Sequence, residues 1–134
     1  MKHFHNSYRK LLKFRNLKQD RKKFSPKYQD VVEWFNIINE TIFNNQLSIF
    51  DGIEIKSYHQ YHALFHSWEE DGVKFSLLEV SKSFRNRKLS VEILAHEMIH
   101  LYQHTYNEPM DHGTSFLKWR FAFKQKGLEL YRTK

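Results

Sequence analysis

His96 and His100 stand four residues apart, with Glu97 beside the first, in the run His96-Glu97-Met98-Ile99-His100. On an α-helix, residues at i and i+4 project from one face about one turn apart. Two imidazoles so placed can share a divalent ion, while the glutamate takes a proton from a water that the ion activates. That is the chemistry of metal-assisted hydrolysis. A catalytic zinc takes three protein ligands and keeps a fourth position open, so a further donor is needed. The chain has no cysteine, which leaves His, Asp and Glu. His104, eight residues beyond His96, would lie about 12 Å from it along a straight helix, too far for both rings to reach one ion at about 2.1 Å. A surface or substrate-contact role suits it better. Asp111 and Glu129 are open alternatives. His112 is better placed, because a short turn and a helix folding back antiparallel would carry it to the first pair.

The elements that must position these groups can be read from periodicity. Ser90 can cap a helix whose apolar stripe is Val91, Leu94, Ala95, Met98, Leu101, Tyr102 and Thr105, with the histidine pair expected on the opposite side and Pro109 limiting the end. A last helix is expected over about 113–126, with Phe116, Leu117, Trp119, Phe121 and Phe123 to bury and Gly127 as its stop. Upstream, Ser25-Pro26 starts a helix carrying Val31, Phe35, Ile38 and Ile42 that runs to Asn44-Asn45. Between the helices, Ile53 to Tyr58, Tyr61 to Trp68 and Val73 to Ser81 read as strands, the last two joined through Glu69-Glu70-Asp71-Gly72. The expectation is an α+β domain: an N-terminal helix, a small antiparallel sheet of about three strands, the helix with the histidines and a C-terminal helix. From the sheet, His59, His62 and His66 are candidates for oxyanion or substrate contacts.

Composition bounds the rest. At 134 residues the chain has room for one core, and 40% hydrophobic with 16% aromatic residues can fill it. The net charge of +7 is concentrated in the first 28 residues, which hold ten Lys or Arg against Asp20 alone, whereas the remainder carries −2. Residues 1–27 therefore read as a basic arm and 28–134 as the domain. Phe4, Tyr8, Phe14, Phe24 and Tyr28 are interleaved with the arm's charges, which suits phosphate neutralisation with base stacking; a solvated extension and an interfacial helix fit the same pattern. No long apolar run and no secretory h-region is visible, so a cytoplasmic, monomeric protein with no membrane partner is expected.

The combination of Trp34 to Leu47, Ala95 to Gln103 and His112-Gly113-Thr114-Ser115-Phe116 resembles the SprT-like family of zinc peptidases, the group that includes Spartan, which acts on DNA–protein crosslinks. The resemblance spans about 28–126. It implies a minimal zincin-like domain with His96, His100 and His112 as zinc ligands, Glu97 as the catalytic glutamate, and flexible or DNA-associated proteins as substrates. Many members also carry a Cys-rich zinc ribbon, which this cysteine-free sequence cannot build, so any DNA contact is expected from the basic arm. Two other functions fit the residues: a nucleic-acid-binding module with a structural zinc, and a peptidase dedicated to one regulatory protein. Glu97 argues against a purely structural ion, which gains nothing from a carboxylate between its ligands.

Overall fold

The computed structural model describes residues 2–57 and 60–132, with side chains from Arg9 onward. Tyr58 and His59, and the side chains of Phe4 and Tyr8, lie outside the described residues. The chain runs α1 (Lys2–Asn16), a 3-10 turn (Leu17–Gln19), α2 (Tyr28–Thr41), β1 (Gly52–Lys56), β2 (Ala63–Glu70), β3 (Val73–Ser81), α3 (Arg87–Thr105), α4 (Thr114–Leu117) and α5 (Arg120–Gln125). This is an α+β fold.

The sheet differs from the antiparallel one expected. Its order is β1-β3-β2, with β2 antiparallel to β3 and β1 parallel to it. The β2–β3 hairpin turns through Asp71 (φ 51°) and Gly72 (φ 79°), the two positive-φ residues that match a right-twisted ribbon. Parallel pairing of β1 is fixed just before its first residue. There Asp51 N–H donates to Ser76 Oγ (3.3 Å) and Asp51 Oδ2 accepts from Ser76 N–H (2.7 Å). Gly52 then faces Leu77, where a Cβ would meet Leu77 Cδ1 at 2.8 Å, so a larger residue would require the leucine side chain to move. Alternation along the strands could not reveal this direction, because both pairings present the same faces.

One face of the sheet carries Ile53, Ile55, Ala63, Phe65, Leu78 and Val80 into the core. There α3 lies against it, buried on every side from Val91 to Ile99. The expected division of α3 into an apolar stripe and an opposite functional face is thus replaced by a helix sunk in the domain. It also starts earlier than Ser90: Asn86 is the cap, its side chain accepting from Leu89 N–H at 2.9 Å. Its far end is closed by Lys74 of β3, whose ammonium donates to the carbonyls of His104 (2.7 Å) and Thr105 (3.1 Å).

Helix α2 begins after Lys27, whose N–H is taken by Asp30 Oδ2 at 2.8 Å, rather than at Ser25-Pro26. Phe24 instead bridges to Phe84. The helix ends before Asn44 (φ 53°) and Asn45 (φ 59°), as the sequence suggests. The single C-terminal helix expected is two short ones, α4 and α5, broken at Lys118-Trp119. Within the basic segment, Phe14 and Leu17 are buried in the core and Phe14 meets Trp34 edge-on with centroids 5.5 Å apart. Lys10 and Lys13 pair with Glu40 and Glu33 of α2. The Phe14 ring is therefore committed to packing and is not offered to a base.

Candidate metal centre

The helix α3 and the turn before α4 bring three imidazoles together. Ring centroids lie 5.0 Å apart for His96 and His100, 5.2 Å for His96 and His112, and 5.0 Å for His100 and His112, a nearly equilateral triangle. One nitrogen from each lies within 4.8 Å of the others. His100 Nε2 and His112 Nε2 are 3.1 Å apart, close to the separation of about 3.3 Å that two nitrogens take on a tetrahedral zinc at about 2.0–2.1 Å. His112 sits in the turn preceding the Gly113 cap of α4, just outside the helix it was expected to open.

The hydrogen bonds around the triangle fix which nitrogens face inward. Gln103, fully buried, donates from Nε2 to the carbonyl of Asp111 (3.0 Å) and to Ser115 Oγ (3.0 Å), and Ser115 passes its own proton to the Pro109 carbonyl (3.0 Å). A carbonyl can only accept, so the amide nitrogen must face Asp111 and the amide oxygen must face His100 Nδ1, at 2.8 Å. His100 therefore carries its proton on Nδ1. His96 Nδ1 is 2.6 Å from the carbonyl of Tyr131, which imposes the same tautomer. Both rings thus turn an Nε2 lone pair toward the centre of the triangle, the arrangement by which outer partners prepare metal-binding histidines. Phe116 packs against all three rings, with centroids 4.9, 5.5 and 4.7 Å from His96, His100 and His112.

Electrostatics point the same way. Burial, reinforced by the neighbouring His100, pushes the His96 pKa down to about 4, and burial also lowers that of His100. At neutral pH both rings are uncharged and free to ligate. The Glu97 carboxyl lies 3.8 Å from His96 Nε2, on the ligand side of the helix, and loss of water raises its pKa to about 7. The donor set, its spacing and its tautomers fit a zinc-class ion.

The other sequence candidates lie elsewhere. His104 stays outside the triangle, edge-on to Phe65 with centroids 6.4 Å apart. Asp111 is exposed and spends Oδ1 on Gly113 N–H (2.9 Å); Glu129 is exposed and its N–H donates to Glu92 Oε2 (2.6 Å). His66 pairs with Glu79 (2.8 Å) on the sheet face turned away from α3. His62 stacks on Phe84 at 5.4 Å. His59 lies outside the described residues. Sequence reasoning missed Gln103 and Tyr131. Gln103 could have been found, since it stands one turn beyond His100 on the same helical face; a main-chain acceptor such as Tyr131 leaves no trace in residue types. The SprT-like family profile matches residues 31–133. No match is found among curated proteins.

Proposed function

The chain belongs to the SprT-like family, and on that footing we propose that it is a zinc-dependent endopeptidase cutting flexible or unfolded protein segments, DNA-associated ones included. The observation that carries this reading is the triangle of three imidazoles beside a buried carboxyl. His96, His100 and His112 would hold the ion; when bound, zinc supplies Lewis-acid activation of a water and of a peptide carbonyl. Glu97 does the proton work. Buried on the ligand side of α3, it accepts the proton of the water that attacks the carbonyl carbon, then delivers it to the amide nitrogen as the C–N bond breaks.

The edge of the sheet supports a peptide as substrate. In β2, the pairing of Ser81 N–H with the His62 carbonyl fixes the ladder phase, so Ala63, Phe65, Ser67 and Glu69 turn their N–H and C=O groups away from β3. Phe65 stacks on His100 with centroids 6.5 Å apart, so this open edge runs beside the centre. An extended chain adding to it would set its carbonyls next to the imidazoles.

The test compares wild type with Glu97→Gln on a denatured protein, with zinc content measured for both. Loss of cleavage with zinc retained supports the reading; full cleavage by the variant overturns it. A nucleic-acid contact is favoured by one further feature, a groove of about 460 Å³ between α1 and α5. Arg15, Lys18, Lys124 and Lys126 line it with no acidic residue among its walls. Concave, single-signed and floored by Leu11 and Phe14, it suits a phosphodiester strand. The basic arm, the domain behind it and a monomeric, cytoplasmic protein complete the proposal.

A further inference from the structure

Beyond α5 the chain does not leave the domain. Gly127, at φ 74°, reverses its direction, with Gly127 N–H donating to the Lys124 carbonyl and Leu128 N–H to that of Phe123, both at 3.0 Å. Leu128 is then buried. Three anchors follow in succession. Glu129 N–H donates to Glu92 Oε2 at 2.6 Å; the Tyr131 carbonyl lies 2.6 Å from His96 Nδ1; and Arg132 Nη2 donates to the His112 carbonyl at 3.3 Å. Glu92, 2% exposed and one turn before His96 on α3, is a buried carboxylate that the proposed hydrolysis does not use. Its place is explained by what it holds.

We infer that the segment 128–132 is a positioning strap for the metal centre. It fixes the tautomer and ring orientation of His96 through the Tyr131 carbonyl and ties down the main chain that carries His112. The inference rests on the reading of the three histidines as ligands. An imidazole free of such a partner divides its proton between two nitrogens and swings about its side-chain bonds. One held by a carbonyl keeps its Nε2 lone pair aimed at the ion, and losing an outer partner of this kind typically weakens metal affinity about 10–100-fold. Because the acceptor is main chain, the tautomer depends on the path of the segment, which the Tyr131 side chain helps to hold through its hydrogen bond with Arg85.

The experiment uses the full chain, its Tyr131→Phe variant and a variant lacking residues 131–134. The proton position on His96 is read by nitrogen NMR of the metal-free protein at pH 8, and zinc affinity by chelator competition. Wild type should show His96 protonated at Nδ1, and so should Tyr131→Phe, which keeps the carbonyl while giving up the hydrogen bond to Arg85. The shortened chain should show a mixture of tautomers, with affinity lower by about 10–100-fold. His96 protonated at Nε2 in wild type overturns the inference, and that measurement decides even if the shortened chain does not fold. Unchanged tautomer and affinity in a folded shortened chain overturn it while leaving the ligand assignment standing. A wild type that takes up no zinc removes both.

Discussion

Replacing Gln103 by leucine removes hydrogen bonds while nearly keeping volume. The side chain is fully buried and serves three partners. Ser115 keeps its bond to Pro109, but the Nδ1–H of His100 and the carbonyl of Asp111 lose theirs. The His100 Nδ1–H left unpaired inside the site costs about 1–3 kcal/mol, whereas the carbonyl of the exposed Asp111 can turn to water, so the metal-free protein should lose about 1–3 kcal/mol. At about 3 °C per kcal/mol for a domain of this size, a loss in the middle of that range lowers Tm by roughly 6 °C. The same change frees the His100 ring and loosens the turn bearing His112, so zinc affinity should fall about 10–100-fold. Urea unfolding without metal and chelator competition with it measure the two effects separately. Gln103→Glu offers His100 an acceptor again but sets a carboxylate against the Asp111 carbonyl, so it should recover affinity more than stability. If Gln103→Leu stayed within about 1 kcal/mol of wild type and bound zinc equally well, the network would not be what organises the centre.

Other perturbations follow from the same geometry. Phe116→Ala empties a fully buried site against all three imidazoles and should cost about 3–5 kcal/mol, read by urea unfolding. The metal-free protein should show a stability plateau in pH. Because His96 titrates near 4 in the fold and near 6.5 when unfolded, stability is lost as pH falls through the window between them. Glu97, near 7 in the fold and near 4.5 unfolded, contributes the opposite slope, with stability lost as pH rises through 7. The two slopes offset between about 4.5 and 6.5, so Glu97→Gln should turn that plateau into a rise of stability with pH and remove the loss between about 6.5 and 7, as denaturant titrations across pH would show. Reversing charge at Arg15 and Lys18 should flatten the salt dependence of single-stranded DNA binding by about 1.4 in log–log slope, at about 0.7 per phosphate contact. An unchanged slope would take the groove out of the interface.

The centre was more legible in the sequence than the frame that holds it. The i, i+4 spacing of His96 and His100 survives any error in helix boundaries, and a short turn leaves His112 few places to go. The direction of β1 was not legible, because it depends on the Asp51–Ser76 clamp between residues far apart in the chain. Nor was the burial of α3: the polar residue types of Glu92, His96, Glu97 and Gln103 give no sign of it, yet each sits inside the domain. In place of water, a protein partner meets Glu92, His96 and Gln103. Part of the core was hidden in the basic segment, where Phe14 and Leu17 are buried between its charges.

Zinc K-edge X-ray absorption on protein with measured metal stoichiometry, wild type beside His112→Ala, tests the central claim most directly. The account predicts one zinc per wild-type chain with three imidazole nitrogens at about 2.0–2.1 Å, and loss of one of those nitrogens in the variant. A wild-type chain without stoichiometric zinc, or a ligand set unchanged when His112 is removed, would contradict it.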